Sequence, residues 1–156
     1  RPEEAIECFD KAIELDPKFV SAWCNKGNAL ASLGIPEESI ECFDKAIELD
    51  PKKAFFGYGN KGNALYELGR PEEAIECFDK AIKMEPKFVD AWYNKGIALY
   101  ELGRPEEAIE CFDKAIELDP KKASAWYNKG TALTNLGRPE EAIECFDKAS
   151  FNKDYA

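Results

Sequence analysis

One sequence pattern recurs four times along the chain and constrains its fold more than any other feature. The stretch from Ala91 to Pro120 reads AWYNKGIALYELGRPEEAIECFDKAIELDP, and closely similar stretches begin at Ala22, Gly57 and Ala125. A unit of this length cannot bury its apolar side alone, so neighbouring units stack and share a continuous core. The chain is therefore predicted to be an array of repeats. Glycines at steps of 35, 34 and 34 residues mark the register: Gly27, Gly62, Gly96 and Gly130.

Each repeat reads as two helices joined by a short link. In the second helix, apolar residues such as Ala5, Ile6 and Phe9 recur at three- and four-residue spacing. The links, such as Gly69-Arg70-Pro71, place a glycine where a left-handed residue ends one helix and a proline in the first turn of the next. A link of three residues makes the two helices an antiparallel hairpin. The pattern predicts nine helices and no strand.

The repeat also carries a recognisable residue pattern. Trp-x-x-x-Gly-x-x-Leu opens the first helix, and Ala-x-x-x-Phe-x-x-Ala followed by Asp-Pro forms and closes the second. Together with the period, this pattern resembles the tetratricopeptide repeat, in the near-consensus form of archaeal and bacterial tandem arrays. The resemblance implies an all-α fold, a right-handed superhelical solenoid of antiparallel helix pairs. In one repeat the pattern residues are Trp92, Gly96, Leu99, Ala108, Phe112, Ala115 and Pro120.

The whole chain, residues 1–156, is expected to form a single array. It begins with arginine inside a repeat, so we expect it to be a fragment of a longer protein. One extra residue lies near Ala54–Phe56, and we place it between helices because an insertion within a helix would rotate the preceding residues by about 100°. Residues 1–19 are read as the lone second helix of a truncated repeat, followed by complete repeats at 20–54, 55–88, 89–122 and 123–156.

The register also predicts which aromatic rings form the core and which helix faces stay open. At either end of the array a helix face lacks its neighbour, so self-association through the open repeat ends is a further expectation. The polar Ser150 and Asn152 stand where other second helices are apolar, which suits a terminal repeat. The rings predicted to be buried are Phe9, Phe43, Phe78, Phe112, Phe146, Trp23, Trp92 and Trp126.

The charge balance restricts the class of partner. The net charge is −10, with 31 acidic residues against 21 basic ones. A nucleic-acid backbone or an anionic membrane needs a positive protein face, so neither is expected as a partner. No apolar run approaches the roughly 18 residues of a membrane helix, and no signal peptide opens the chain. We therefore expect a cytoplasmic protein.

The six cysteines predict neither a disulfide nor a metal site. Five of them recur once per repeat on successive second helices, which pack at least about 8–10 Å apart, whereas a disulfide needs Cα atoms within about 7 Å. The chain has no histidine and no Cys-x-x-Cys pair, so a zinc site lacks a ligand set. Half-buried thiols and no cofactor are expected. The five cysteines are Cys8, Cys42, Cys77, Cys111 and Cys145.

Catalysis is not expected within these residues. The paired glutamates after each proline occur in every unit, as first-turn residues that complement the positive end of a helix do. The chain offers no histidine, no phosphate-binding loop and no nucleophile beside a base. The chain is therefore predicted not to be an enzyme.

The candidate binding residues lie on the first helices, which line a concave groove in the family that the repeat resembles. An asparagine amide offers a donor and an acceptor together, as a peptide backbone does, so a column of asparagines suits an extended segment. The column, formed by Asn25, Asn60, Asn94 and Asn128, resembles the asparagine ladders of O-linked N-acetylglucosamine transferases. The alternative is that each amide bonds to a neighbouring helix. The candidates are Asn25, Asn28, Asn60, Asn63, Asn94 and Asn128 with the aromatic anchors Tyr66, Tyr93, Tyr100, Tyr127 and Phe56, and Gly59 as a notch.

The groove columns also indicate the charge of the partner. Chaperone-adaptor members of the family hold a peptide carboxylate with lysines, whereas Cys24, Gly59, Tyr93 and Tyr127 occupy the lysine column here. Without those cations a carboxylate loses its charge-assisted hydrogen bonds, so a neutral or basic protein segment is expected. The predicted function is a non-catalytic protein- or peptide-binding scaffold. The alternatives are the repeat arm of a larger enzyme, for substrate presentation or regulation, and a self-stacking structural spacer.

Overall fold

The computed structural model describes the backbone of residues 1–154 and the side chains of residues 1–152. These residues form nine α-helices, one short 3-10 helix and no strand, which confirms the predicted all-α repeat architecture. None of the described helices is long and apolar enough to cross a bilayer. The helices are α1 (Pro2–Leu15), α2 (Val20–Ser32), α3 (Pro36–Leu49), α4 (Phe55–Glu67), α5 (Pro71–Met84), α6 (Val89–Glu101), α7 (Pro105–Leu118), α8 (Ala123–Asn135) and α9 (Pro139–Asp154).

The chain divides into two compact units, each made of consecutive helices. The first unit covers Arg1–Pro86 and contains α1 to α5, and the second covers Lys87–Ala156 and contains α6 to α9. Within each unit a helix packs mainly against the helices before and after it in sequence. This nearest-neighbour packing is what a repeat array requires. The exact repeat boundaries stay a prediction.

Each hairpin link has the backbone geometry that its glycine predicts. Gly69 has a φ of +74°, the left-handed conformation that a residue without Cβ adopts at low cost. The Gly69 N–H donates to the Tyr66 carbonyl at 2.9 Å, and the Arg70 N–H donates to the Leu65 carbonyl at 3.0 Å. These bonds satisfy the last carbonyls of α4, and a proline then starts α5. The other links use the same conformation at Gly34, Gly103 and Gly137.

A phenylalanine of the second helix packs directly on the register glycine of the first helix. A Cβ added to Gly62 would lie 2.6 Å from Cε1 of Phe78, so only glycine lets the two helices approach this closely. Phe78 is 1% exposed. The same contact occurs at Gly27 with Phe43, Gly96 with Phe112 and Gly130 with Phe146.

The prediction that all eight register aromatics are buried is only partly right. Phe43, Phe78 and Phe112 are buried. Phe9 and Phe146 are half-buried, because each lies on a terminal helix with a packing partner on one side only. The three tryptophans, Trp23, Trp92 and Trp126, are also half-buried rather than buried.

The position of the indole N–H explains the exposure of two tryptophans. Nε1 of Trp23 donates to the Pro17 carbonyl at 3.0 Å, and Nε1 of Trp126 donates to the Pro120 carbonyl at 2.9 Å. These carbonyls lie in the exposed connections between repeats. A tryptophan whose polar edge must reach such a carbonyl cannot be fully enclosed.

The extra residue of the second complete repeat lies between helices, as predicted. The connection from α3 to α4 has five residues, 50–54, where the other connections between repeats have four. Pro51–Lys53 forms the 3-10 helix within it. Helix α4 keeps the 13 residues of the other first helices, with Gly59 inside it. The insertion therefore changes the connection and leaves the helix register intact.

An ion pair recurs where a second helix packs on the following first helix. Lys26 Nζ lies 2.6 Å from a carboxylate oxygen of Asp10, and Lys61 Nζ lies 2.6 Å from one of Asp44. The hydrogen bond from Lys26 to Asp10 raises the pKa of that lysine. At Lys61 burial lowers the pKa, but the hydrogen bond and charge of Asp44 outweigh it and the pKa is raised. The lysines therefore stay charged within the array.

The cysteines are more buried than predicted. Four of the five repeat cysteines are buried and only Cys8 is exposed, whereas half-buried thiols were expected. Burial raises the pKa of the Cys42, Cys77 and Cys145 thiols, so they are protonated at neutral pH. None of the six cysteines forms a disulfide, and residues 1–152, whose side chains the structure describes, hold no group of three acidic, cysteine or histidine side chains placed to bind a metal.

Candidate functional site

The first unit contains an open cleft of about 520 Å³ between its two complete first helices, α2 and α4. The end of α3 and the connection that carries the insertion close its sides. The cleft brings together four of the predicted site residues, Asn25, Asn28, Phe56 and Asn60. Its other lining residues are Val20, Ser21, Cys24, Ala46, Ile47, Asp50, Lys53, Ala54 and Gly57.

The asparagines of this cleft have polar groups to offer a ligand. Asn25 and Asn28 are exposed, and Asn60 is half-buried. Within the described part of the chain, the side-chain amides of these three residues make no hydrogen bond. Phe56 is 57% exposed and stacks on Phe55, with ring centroids 4.3 Å apart. The cleft therefore combines amides that bond to no other described protein group with an exposed aromatic ring.

A second, smaller cavity of about 280 Å³ lies along the same two helices. It shares Asn28 and Asn60 with the first cleft, and Asn63 also lines it. Ala31 and Glu67 face it from the C-terminal turns of α2 and α4. The two cavities together make a polar inner face in the first unit.

The second unit carries a cleft of about 560 Å³ with a more aromatic lining. Tyr93, Tyr127 and Asn128, all predicted site residues, line it together with Phe146 and residues near the end of α9. Tyr127 is 58% exposed, and its ring centroid lies 5.5 Å from that of Phe146. This exposed ring on a half-buried support is a suitable anchor for an apolar side chain.

The space between α6 and α8 holds a cluster of polar side chains. Nδ2 of Asn128 donates to the Tyr93 hydroxyl at 2.8 Å. Nζ of Lys122 lies 4.7 Å above the Tyr93 ring centroid and 3.4 Å from a carboxylate oxygen of Asp90. Asn128 thus bonds to a neighbouring helix, which was the alternative reading of the asparagine column. The Asn128 amide of the second unit is hydrogen-bonded to protein, whereas the amides of Asn25, Asn28 and Asn60 in the first unit are not.

Family comparisons agree with this architecture. A model described as tetratricopeptide repeat matches residues 60–123 and again residues 95–156. The chain belongs to the tetratricopeptide repeat family. Two further models of this repeat match residues 20–53 and residues 1–34, so the family match reaches both ends of the chain. No curated protein matches the chain in sequence.

Solved structures of other tetratricopeptide proteins share the fold. The protein MamA is 27% identical over 96% of this chain and 87% of its own, with a TM-score of 0.86. MamA from residue 41 to its end, from Desulfovibrio magneticus RS-1, is 25% identical over 99% and 86% of the two chains, with a TM-score of 0.87. YrrB, described as a TPR protein with an unusual peptide-binding site, is 28% identical over 98% and 78%, with a TM-score of 0.76.

Other predicted site residues of this tetratricopeptide array lie outside the described clefts. Tyr66 is half-buried and packs against the core formed by Leu65 and Phe78. The Tyr100 hydroxyl accepts a hydrogen bond from Nδ2 of Asn135. Gly59 is buried within α4, and Asn94 is half-buried. The clefts described for the two units are lined by other residues.

Sequence reasoning missed the lysines beside the predicted groove. Lys53 lines the first cleft, and Lys122 covers Tyr93. Both residues lie just outside the first helices, so the residue columns within those helices do not include them. Their position at the end of the connection between repeats could have predicted this placement, because a long side chain there can reach the inner face of the first helices.

Proposed function

We propose that this tetratricopeptide array is a non-catalytic scaffold that holds an extended protein segment along the inner faces of its first helices. The observation that carries the proposal is the cleft between α2 and α4. Asn25, Asn28 and Asn60 present side-chain amides there that make no hydrogen bond within the described chain. Each amide can both donate to and accept from a peptide backbone, which needs one of each per residue.

Aromatic side chains supply the second part of the proposed recognition. Phe56 in the first cleft and Tyr127 in the second are both more than half exposed. Apolar side chains of a bound segment gain free energy by covering such rings, at low cost in conformational entropy for the protein. YrrB, a structural relative described as having a peptide-binding site, supports the same class of ligand.

The net charge of the chain favours a neutral or basic segment. The chain carries a net charge of −10, which attracts cations over distances up to about 10 Å at moderate salt. Asp50 and Lys53 both line the first cleft, so the cleft itself has no excess of cations for a carboxylate. Affinity for a basic segment should therefore fall as the salt concentration rises.

A random peptide library displayed on phage tests the proposal with the full chain as bait. Enriched peptides are then synthesised and titrated by fluorescence polarisation against the Asn25→Ala/Asn60→Ala double variant. Losing two hydrogen bonds should weaken binding at least about fivefold. The matched control changes two exposed residues of the second helices without altering the net charge, Glu41→Asp/Glu76→Asp, and should bind as the parent does. If no peptide is enriched, or if the two double variants bind alike, the proposal is wrong.

A further inference from the structure

Tyrosine and lysine side chains lie between the first helices α6 and α8 of the second unit, whereas small residues line the matching cleft of the first unit. In the second unit the Tyr93 ring extends from α6 towards α8, where its hydroxyl accepts the Asn128 amide hydrogen. Lys122 covers the ring and pairs with Asp90. The protein thus supplies a phenol side chain to its own asparagine.

Smaller residues stand at the matching positions of the first unit. Counting from the first residue of each helix, Cys24 of α2 corresponds to Tyr93 of α6, and Ser21 corresponds to Asp90. Ala54, just before α4, corresponds to Lys122, just before α8. Asn60 corresponds to Asn128 and is retained. These four residues of the first unit all line the cleft of about 520 Å³.

Two turns further along the same helices, a tyrosine of the second unit again has a small residue as its counterpart in the first unit. In the second unit the Tyr100 hydroxyl accepts a hydrogen bond from Asn135. Ala31 stands at the position of Tyr100 in the first unit and lines the cavity of about 280 Å³. The two cavities of the first unit are therefore lined by small residues at the positions that Tyr93 and Tyr100 occupy in the second unit.

We propose that the cleft between α2 and α4 accepts a tyrosine side chain of a bound protein segment. The phenol hydroxyl would accept the Asn60 amide hydrogen, as the Tyr93 hydroxyl accepts that of Asn128. Phe56, Val20 and Ile47 supply apolar surface for the ring. This inference rests on the proposed function and names the side chain that the segment inserts. The internal Tyr93 contact is the observation that selects tyrosine over other side chains.

Three neutral peptides test the inference on the full chain: acetyl-Ala-Ala-Xaa-Ala-Ala-amide with tyrosine, phenylalanine or alanine as Xaa. Binding is followed by NMR titration of the backbone amide signals of α2 and α4, which every variant retains. The tyrosine peptide should bind about 3- to 10-fold more tightly than the phenylalanine peptide, because only tyrosine has the hydroxyl. In Asn60→Ala that preference should vanish. Equal binding of the two peptides by the parent, or a preference that survives in Asn60→Ala, would overturn the inference.

A second variant fills the cleft from within. Cys24→Tyr places a phenol where the second unit has Tyr93, so it should weaken binding of the tyrosine peptide at least about tenfold. Cys24→Ser is the matched control and should bind as the parent does. Thermal unfolding of Cys24→Tyr should match that of the parent, since the second unit accepts the same residue. A folded Cys24→Tyr that binds the tyrosine peptide normally would refute the inference.

The two proposals fail in different ways. Library peptides that lack tyrosine but still require Asn25 and Asn60 would leave the scaffold function standing and remove the tyrosine pocket. If the library yields no binder at all, the scaffold proposal itself fails. Enriched peptides that share one tyrosine and lose affinity in Cys24→Tyr would support both.

Discussion

Replacing Gly62 by alanine tests the helix-packing argument at a single methyl group. In an exposed helix this change would stabilise by about 0.5–1 kcal/mol, because glycine loses more backbone entropy on folding. Here the new Cβ would lie 2.6 Å from Cε1 and 2.8 Å from Cδ1 of Phe78, against an optimum of about 3.5–4.0 Å. Phe78 is 1% exposed and cannot swing away. Overpacking of this kind costs about 1–3 kcal/mol, so the net loss of stability should be about 0–2.5 kcal/mol.

A double-mutant cycle separates this contact from other effects. Phe78→Leu shortens the side chain that meets the new methyl, so Gly62→Ala should cost less in that background, with a coupling of about 1–2 kcal/mol. Gly69→Ala is the control: its φ is +74° with no atom near the added Cβ, so it should destabilise by strain and show no coupling to Phe78. Urea unfolding, followed by circular dichroism and by tryptophan fluorescence, measures the three single variants and the two double variants that combine Phe78→Leu with Gly62→Ala or with Gly69→Ala. A stabilised Gly62→Ala, or strict additivity with Phe78→Leu, would refute the packing argument.

Two further predictions concern core burial and acid stability. Phe78→Ala should lower the free energy of unfolding by about 3–5 kcal/mol. Phe146→Ala should lower it by clearly less, because that ring is only half-buried. Equal losses in urea unfolding would contradict the burial pattern. Hydrogen bonds from Arg104 lower the pKa of the Glu107 carboxyl below its usual 4.5. A lowered folded-state pKa stabilises above the unfolded pKa, and this contribution is lost as the pH falls through the folded value. Arg104→Gln should therefore reduce the fall in Tm between neutral pH and about pH 3; an unchanged fall would show that the pair contributes nothing.

The fold was predictable because each local rule is repeated in every unit. Gly69 ends a helix and Pro71 begins the next, and the same pair of signals occurs at every hairpin link. A register glycine paired with a phenylalanine fixes how closely the two helices approach, as at Gly62 and Phe78. These rules depend on residues close in sequence or at fixed spacing within one repeat. Such information is present in a single chain.

The candidate site was less predictable, because it depends on pairs of residues in different repeats. The asparagine column marked Asn60 and Asn128 as equivalent, yet the first makes no side-chain hydrogen bond and the second bonds to Tyr93. The difference comes from the residue one repeat earlier, cysteine at position 24 and tyrosine at position 93. Only a comparison of columns between successive first helices could have revealed it. The reach of Lys122 across Tyr93 likewise depends on side-chain packing that periodicity does not encode.

Helices α1 and α7 show how far neighbours decide the environment of a repeat. Both have the sequence PEEAIECFDKAIEL, and both are regular α-helices of 14 residues. Helix α7 buries four of its residues, including Phe112, whereas none of the residues of α1 is buried. Local sequence therefore determines that the helix forms, and the helices on either side determine what it buries. Because the second helices α3, α5 and α7 hardly differ in sequence, they give each repeat the same support. If the array binds a partner as proposed, differences in recognition are expected from the first helices, where Cys24 of the first unit stands at the position of Tyr93 in the second.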